Sequence, residues 1–397
     1  AEPRLEGGAS MSPEPSARPR VLRIITRLNI GGPAQHVLFL ADGMRADFET
    51  VLVTGTPDPA EGDMDGLARE LGVIPLRLPF LRRALSPWND LRALWSLWRL
   101  CQRLKPDIVH THTSKAGLLG RLAARLAGVP VVLHTFHGHV FHGYFGPWAS
   151  RLAVLAERAM GALSTRLYAV SPAQKAELES LGIAPPGKIR VLPLGLDLEP
   201  LAPPLPRGAL RRELGLGEDA VLLGCVARLA PIKAHGDLLE AFAKVPGAHL
   251  LLIGDGEQRQ AIAQDTRARN LEDRVHLLGW RRDLAAVYGD LDLVVLASRN
   301  EGLPVALIEA AAAGVPVVAT RVGGVPDLLG GHPAAILVPP GDPEALAAAL
   351  SQALGNLARL KSLAVPSAGT FRKAYGRARL AEGLRQECLT LTRSGRE

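Results

Sequence analysis

Residues 293–320, LVVLASRNEGLPVALIEAAAAGVPVVAT, decide the fold, because they give a strand, a loop, a helix and a second strand in succession. The runs 293–297 and 316–320 are short, apolar and rich in valine, as expected for buried strands. Between them Pro304 opens an alanine-rich helix, at a position where its missing N–H does no harm. Two strands joined by such a helix predict a parallel βαβ unit.

The same alternation of short apolar runs and helical segments extends in both directions along the chain. In the first half, strands are predicted at 21–26, 50–54, 108–110, 131–135, 166–170 and 189–193. In the second half, further strands are predicted at 220–227, 249–253, 275–278 and 335–338. Helices fit between nearly every pair, so we expect an α/β protein of two doubly wound, Rossmann-like domains facing a cleft.

A proline-rich stretch, 198–207, separates the two domains, and we interpret it as a stiff linker because it cannot form a helix or a central strand. Residues 1–20 are rich in proline, glycine and serine, so we expect them to be disordered. The predicted organisation is therefore an N-terminal domain at 21–197, a C-terminal domain at 208–368, and a C-terminal helix at 369–397 that packs back on the N-terminal domain.

Composition narrows the classes of partner. The chain of 397 residues carries a formal net charge of +7, which suits phosphate-bearing ligands or an anionic membrane. No RNA- or DNA-binding signature accompanies that charge, so nucleic acid is not an expected partner. The three cysteines are far apart and odd in number, which fits a reducing cytosol. Without a visible signal peptide or membrane-spanning run, we expect a cytoplasmic protein, soluble or peripheral at the inner face of the membrane.

Loops at the carboxyl ends of the strands carry the candidate binding residues, as is usual in open α/β sheets. After the first strand, Gly31 and Gly32 allow backbone N–H groups to approach a phosphate or a sugar, although a tight turn explains them equally well. After strand 220–227, Arg228 and Lys233 form a pair of cations suited to a diphosphate. Two solvated basic residues on a loop would give the same pattern.

Segment 298–314 adds two carboxylates, Glu301 in the loop and Glu309 inside the helix. One can reach a transferred sugar while the other accepts both hydroxyls of a ribose; alternatively, both complement the helix dipole. Because the neighbours of Glu309 are apolar, we expect it to be partly buried with a polar partner. The backbone at the start of the helix predicts a phosphate seat, formed by Gly302, Leu303, Pro304 and Val305.

Histidines cluster after two strands of the first half. The sequence has two His-x-His pairs here, His110 with His112 and His137 with His139. Two further histidines are His134, on the strand before His137, and His142. Such pairs are compatible with a metal, but no cysteine or carboxylate accompanies them, so we expect no metal site. His137 is predicted to act in the cleft, with a structural role in capping its loop as the alternative.

Glu301 and Glu309 have the E-x7-E spacing, and with the motifs around them the chain resembles glycosyltransferase family 4, which has the GT-B fold. The resemblance covers about residues 21–350, and besides Gly31-Gly32 and Arg228…Lys233 it includes Gly254-Asp-Gly-Glu257, Leu278-Gly-Trp280 and Val322-Gly-Gly-Val-Pro326. Two positions depart from the family pattern: Pro193-Leu-Gly195 replaces Pro-Asn-Gly, and Lys233-Ala234 replaces Lys-Gly.

The resemblance implies a retaining, metal-independent transferase that moves a sugar from a UDP- or GDP-type nucleotide-sugar to an acceptor hydroxyl. The N-terminal domain would bind the acceptor (a sugar, a glycolipid or a small molecule) and the C-terminal domain the donor, which is a co-substrate rather than a cofactor. Arg228 and Lys233 would hold the diphosphate, Glu309 the ribose, and Glu301 with the following amides the donor sugar. Gly31 and Gly32 would close over the phosphates, and His137 would contact the donor sugar.

Two other functions share this architecture. A sugar-nucleotide 2-epimerase would need acids and bases around the sugar, and the two glutamates with the two cations argue against it. A non-catalytic nucleotide-binding protein would be expected to lose those four charged residues, which are intact here. An NAD enzyme would need G-x-G-x-x-G after the first strand, which 29–33 does not supply.

Segment 79–100 is basic and aromatic. Leu91, Leu94, Trp95 and Trp98 are predicted to share one helical face, with arginines supplying positive charge nearby. Such a segment can lie on an anionic membrane, or its apolar stripe can pack on the sheet. We expect most of the stripe to pack and the portion 80–88 to be the better membrane candidate.

Overall fold

The computed structural model describes residues 18–57, 62–84, 86–138 and 147–394. Most of the segment predicted to be disordered, as well as His139 and His142, lies outside these residues. The chain divides into two compact units, the first formed by 1–170, 175–195 and 380–397 and the second by 171–174 and 196–379.

The first unit contains a parallel sheet of seven strands in the order β3-β2-β1-β4-β5-β6-β7. Its strands are β1 Arg20–Arg27, β2 Glu49–Gly55, β3 Leu76–Arg77, β4 Ile108–His112, β5 Val131–Phe136, β6 Arg166–Ala169 and β7 Ile189–Val191. Because β1, β4 and β5 are neighbours, the segments that follow them lie side by side at one edge of this sheet.

The second unit contains a parallel sheet of six strands in the order β10-β9-β8-β11-β12-β13. Its strands are β8 Val221–Val226, β9 Ala248–Ile253, β10 Val275–Gly279, β11 Leu293–Leu296, β12 Val317–Thr320 and β13 Ala335–Val338. Strands β8 and β11 are adjacent at the centre, so the loops after them meet at the carboxyl edge.

The helices connect the strands in both units. In chain order they are α1 Gly32–Gly43, α2 Asp65–Glu70, α3 Pro87–Leu104, α4 Ser114–Leu126, α5 Pro147–Leu163, α6 Pro172–Ser180, α7 Ala209–Glu213, α8 His235–Ala243, α9 Arg259–Ala268, α10 Leu284–Asp290, α11 Val305–Ala312, α12 Val325–Leu329, α13 Pro343–Gly355, α14 Leu357–Tyr375 and α15 Arg377–Ser394. None of the described helices combines the length and the apolar character needed to cross a bilayer.

Alternating residues of β1 supply both faces of the first sheet. Leu22 and Ile24 are buried in a core with Leu97 of α3, while Val21 is buried in a second core with Leu380 and other residues of α15. The final helix therefore packs on the first unit, and it begins at Arg377 because Gly376 is extended and ends α14. Burial of these side chains stabilises each layer by about 1.5–3 kcal/mol per residue.

The predicted α/β class with two doubly wound sheets is confirmed, and every predicted strand is present with its ends shifted by up to two residues. Strand β12 begins at Val317 rather than Pro316, because proline has no N–H to give to the ladder. The additional strand β3 has only two residues, and Pro75 and Pro79 on either side of it argue against a strand in the sequence. The predicted linker was expected to contain no helix, but Glu199–Leu201 forms a single 3-10 turn. Pro200 lies near the start of this turn, where proline is tolerated.

Candidate active site

Lys233 and Glu301 form an ion pair at the centre of the second unit's carboxyl edge. Lys233 Nζ donates to Glu301 Oε1 at 2.5 Å, and Ser298 Oγ donates to the same oxygen at 2.6 Å. The Glu301 side chain is 9% exposed and that of Lys233 is 20% exposed, so the pair is only partly screened by water. The structure thus brings together a cation from the loop after β8 and a carboxylate from the loop after β11.

Arg228 lies half-buried in the same loop as Lys233. The loop is held by the neighbouring glycine motif: Gly254 has φ 141°, and a Cβ there would come 2.0 Å from the carbonyl oxygen of Ala227. A side chain at that position is excluded, which explains why the motif places glycine after β9. Leu229 N–H donates to the Asp255 carbonyl at 2.9 Å and closes the contact between the two loops.

A second glycine fixes the backbone of Glu301. Gly323 has φ 49°, and a Cβ there would lie 1.7 Å from the carbonyl oxygen of Glu301. Its neighbour Gly324 donates its N–H to the carbonyl of Gly302 at 3.0 Å. The Gly-Gly of segment 322–326 therefore positions the loop that carries Glu301.

Ala234 occupies the position where the family pattern has glycine, and its backbone has φ 51° in the left-handed region. A residue with a Cβ costs roughly 1–2 kcal/mol there. Alanine at this position therefore strains the backbone next to Lys233, and glycine, which the family pattern has here, would remove that strain.

Glu309 is buried, with 6% of its surface exposed, and its Oε2 accepts a hydrogen bond from Tyr288 OH at 2.7 Å. The predicted polar partner is confirmed, and it comes from α10, twenty-one residues earlier in the chain. Burial raises the pKa of Glu309 to about 7, while the bond from Tyr288 acts in the opposite direction. This carboxyl group can therefore exist in either protonation state near neutral pH.

Helix α11 begins at Val305 with Pro304 as its N-terminal cap, one residue later than predicted. The residues from Gly302 to Val305 form the turn between Glu301 and this helix. At the start of this helix the N–H groups of Leu307 and Ile308 already donate to the Pro304 carbonyl, at 3.2 and 3.3 Å. The N–H groups of Val305 and Ala306, which precede them, have no acceptor within the helix and can bind an anion.

In the first unit, Gly31 is the N-terminal cap of α1 and has φ 152° and ψ 167°. Gly32 is the first residue of that helix and is buried. The predicted turn between a strand and a helix is thus present, and the phosphate role of Gly31 and Gly32 stays a prediction.

His137 directly follows β5 and shares a close contact with His112, with 3.1 Å between His137 Nε2 and His112 Nδ1. Burial lowers the pKa of His137 to about 3, so the ring is neutral. His36, from α1, packs edge-on against His137 with 4.7 Å between the ring centroids. Sequence reasoning missed His36; the signal for it was its position one turn inside a helix that starts at the same sheet edge.

The expected grouping of His-x-His pairs is only partly found among the described residues. His110 and His112 share a face of the sheet, with 4.1 Å between their ring centroids. His134 is instead bonded to Thr111, and its ring packs on Phe136. His110 is engaged by Arg23 and Thr135.

The predicted apolar stripe of α3 is divided. Leu94 and Trp98 pack against the core, whereas Leu91 is 58% and Trp95 50% exposed, because the buried face of the helix is centred on the side of Leu97. Within 80–88, the portion predicted to be the better membrane candidate, Phe80 packs against the core beneath Arg92. Membrane contact by this portion stays a prediction. Trp88, 77% exposed, belongs instead with the outer side of α3.

Two family models match the chain. Residues 31–195 match the model described as "Glycosyl transferase 4-like domain", and residues 220–356 match "Glycosyl transferases group 1".

Among curated proteins, the chain is 36% identical to UDP-Gal:alpha-D-GlcNAc-diphosphoundecaprenol alpha-1,3-galactosyltransferase of Escherichia coli, over 62% of this chain and 66% of that protein. It is 33% identical to D-inositol 3-phosphate glycosyltransferase of Thermobispora bispora, over 70% of this chain and 69% of that protein. The chain thus matches about two thirds of the length of these relatives.

Solved structures share the fold. The chain aligns with Anabaena HepE in complex with UDP and glucose at a TM-score of 0.79 and 20% identity, covering 94% of this chain and all of that one. The alignment with sucrose-phosphate synthase from Thermosynechococcus elongatus has a TM-score of 0.80 and 22% identity, and it covers 95% of this chain and 100% of that one. The alignment with a UDP-N-acetylglucosamine 2-epimerase has a TM-score of 0.66 and 16% identity, and it covers 94% of this chain and 96% of that one. At these identities the similarity concerns the fold alone.

Proposed function

The chain belongs to the glycosyltransferase family that these two models describe, GT4-type enzymes of the GT-B fold, and we propose that it transfers a hexose from a UDP-sugar to a lipid-linked sugar diphosphate with retention of anomeric configuration. The main support for the proposal is the Lys233–Glu301 ion pair. It brings a cation proposed to bind the diphosphate next to a carboxylate proposed to bind the transferred sugar. The galactosyltransferase relative, whose name includes a UDP-sugar and a diphosphoundecaprenol acceptor, supports the choice of substrates.

In the proposed reaction the bond between the anomeric carbon and the diphosphate breaks, and negative charge grows on the leaving phosphate oxygen. Arg228, Lys233 and the amides at the start of α11 stabilise this charge more strongly in the transition state than in the bound donor. A cationic pair of this kind replaces the metal ion that other transferases use, so the proposed chemistry needs none.

The two glutamates have different proposed roles. Glu301 lies in the loop beside Lys233 and faces the transferred sugar, whereas Glu309 lies inside α11 and accepts the ribose hydroxyls. Lys233 Nζ and Ser298 Oγ both donate to Glu301 Oε1, which orients the carboxylate. We assign it to binding the sugar rather than to a covalent intermediate of the glycosidase type. Retention is therefore proposed to proceed by attack on the face of the leaving group, with the acceptor's proton passing to the departing phosphate.

The acceptor class is supported by the outer surface of the first unit. We define the aromatic surface as Trp88, Leu91 and Trp95 of α3 with Trp148, Leu152 and Leu155 of α5, all at least half exposed. Helix α4 packs against both α3 and α5. Arg99 lies over the Trp95 ring at 4.8 Å and Arg151 over the Trp148 ring at 5.4 Å. Tryptophan rings with adjacent arginines suit the interface of an anionic membrane.

A membrane contact on the cytoplasmic side would place the first unit next to a lipid-linked acceptor. Sedimentation with phosphatidylglycerol vesicles tests it: the wild type should bind these vesicles and not phosphatidylcholine. The double variant Trp95→Ser, Trp148→Ser should bind roughly tenfold more weakly, because two interfacial rings are removed. Ile74→Ser is the matched control, since Ile74 is 91% exposed and outside the aromatic surface. Equal binding by the double variant and the control variant would exclude this surface.

A donor screen tests the reaction itself. UDP- and GDP-sugars are each incubated with the protein, with and without a polyprenyl-diphosphate-linked N-acetylhexosamine, and the released nucleoside diphosphate is measured. We expect release from one UDP-sugar that depends on the acceptor. Conversion of UDP-N-acetylglucosamine into its 2-epimer would instead identify the epimerase alternative, and binding without turnover would identify a non-catalytic nucleotide-binding protein.

A further inference from the structure

Three histidines from separate elements meet at the carboxyl edge of the first unit's sheet. His36 comes from the second turn of α1, His112 ends β4, and His137 follows β5. Their ring nitrogens include one set of three atoms that all lie within 4.8 Å of one another. The neighbouring order of β1, β4 and β5 is what assembles them.

These rings have unsatisfied hydrogen-bonding capacity. Both nitrogens of His36 are buried without a hydrogen-bond partner among the described residues. The same holds for His112 Nε2 and His137 Nδ1, the ring atoms that take no part in the 3.1 Å contact between those two histidines. His110, next to them, is different, because Arg23 and Thr135 occupy its two nitrogens. A buried polar atom without a partner costs about 1–3 kcal/mol, so the two on His36 favour a ligand at that ring.

We propose that His36, His112 and His137 bind one divalent transition-metal ion, such as Zn²⁺, through their imidazole nitrogens. With Zn–N bonds of about 2.0–2.1 Å, tetrahedral geometry places ligand nitrogens about 3.3 Å apart. The 3.1 Å between His112 Nδ1 and His137 Nε2 is already close to that separation. The nitrogen of His36 lies within 4.8 Å of both ligand atoms and would have to move closer to reach that separation. A tetrahedral ion bound by three histidines takes a water or an exogenous ligand as its fourth partner.

The donor set selects the class of metal. Three imidazoles without a carboxylate or thiolate favour Zn²⁺, Co²⁺, Ni²⁺ or Cu²⁺ over Mg²⁺ and Ca²⁺, which prefer oxygen ligands. The charge of Arg23, which donates to His110 behind His112, opposes a cation, so we expect weaker binding than at a structural zinc site.

This inference goes beyond the proposed function, because it concerns an ion bound by the first unit and not the binding of the donor diphosphate. It is tested on the full-length protein after chelator treatment and exchange into metal-free buffer. Titration with Co²⁺ should give the visible absorption bands of a tetrahedral site, at one ion per chain. Zn²⁺ should displace Co²⁺ and raise the melting temperature, as expected for a ligand that binds only the folded state.

Variants locate the ion. His36→Gln and His137→Gln should each lose the Co²⁺ bands and the stabilisation by Zn²⁺, with circular dichroism confirming that they fold. The matched control is the double variant His249→Gln, His276→Gln, which removes a second close histidine pair with 3.2 Å between Nδ1 and Nε2. That control should bind Co²⁺ as the wild type does. Absence of the bands in the wild type, or their loss only in the control, would overturn the proposal even if one of the buried variants failed to fold.

Discussion

Lys233 Nζ and Glu301 Oε1 lie 2.5 Å apart, so the cation predicted for the diphosphate and the carboxylate predicted for the sugar are bonded to each other. Under the proposed function the bond that breaks lies beside this pair, since one partner contacts the leaving group and the other the transferred sugar. The pairing orients both side chains before the donor arrives, which reduces the reorganisation needed at the moment of reaction.

Removing either cation should slow the chemical step. We expect Arg228→Ala and Lys233→Ala to lower turnover about 10²-fold or more, as for loss of one transition-state donor. Lys244→Ala is the control, because Lys244 belongs to the same unit but pairs with Glu344 on the surface. Steady-state rates with saturating donor measure the effect. A folded Lys233→Ala or Arg228→Ala variant within a factor of two of the wild type would refute the assignment.

The two glutamates should fail in different ways. Glu309→Gln should weaken binding of donor and of free UDP alike by roughly 1–3 kcal/mol, since it loses contacts present in ground and transition states. Glu301→Gln should lower turnover with little change in UDP affinity. Calorimetric titration of UDP, combined with steady-state rates, separates the two. Equal loss of UDP affinity in both variants would mean that the glutamates act as one structural unit holding the loop.

Binding of UDP should also depend on the protonation of Glu309. Its pKa is about 7 because burial disfavours the charged form, so the group is neutral at lower pH and a carboxylate at higher pH. Only the carboxylate accepts from both ribose hydroxyls, so UDP affinity should rise between about pH 6 and 8. Glu309→Gln should lack this part of the rise, and subtracting its profile removes the titration of UDP itself. Identical profiles would exclude Glu309 from the ribose site.

The raised pKa of Glu309 also predicts how the stability of the ligand-free protein depends on pH. A folded-state pKa raised above the unfolded value means that the stabilisation is complete below the unfolded pKa and is lost as pH rises through about 7. The loss is the cost of ionising a buried carboxyl group, and it should be absent in Glu309→Gln. Thermal unfolding at several pH values should therefore converge for the two proteins at low pH and diverge above neutrality.

Chelation should leave the reaction intact. With Arg228 and Lys233 on the diphosphate, turnover in EDTA should equal turnover in untreated protein, and the histidine ion of the first unit should not be required for it. Loss of activity in EDTA that Mg²⁺ or Mn²⁺ restores would contradict the metal-independent mechanism. Because both ions prefer oxygen ligands, that result would indicate a metal site other than the three histidines.

The sheets could be predicted from the sequence because their central strands are apolar runs that local composition reveals, such as 293–297 and 131–135. Strand β3 could not, since two residues carry no period. The glycines at 254 and 323 could be recognised as a motif, but the reason for them is tertiary: each packs against the backbone of a loop distant in sequence.

Partners of the candidate site residues were the part that sequence could not supply. Tyr288 precedes Glu309 by twenty-one residues, with strand β11 and a loop between their helices, and no local pattern links them. His36 likewise stands on a helix whose apolar neighbours suggest only packing. Periodicity in the sequence predicts whether a residue lies on a helix or a strand. Contacts between elements depend instead on which strands are neighbours, and no single segment of sequence determines the order of the strands.

The most direct test of the central claim is the anomeric configuration of the transferred sugar, measured by proton NMR on the product formed from an α-linked UDP-hexose and a polyprenyl-diphosphate-linked acceptor. The account predicts an α-linked product together with one UDP released for each sugar transferred. A β-linked product, or consumption of the UDP-sugar with no new glycosidic bond, would contradict it.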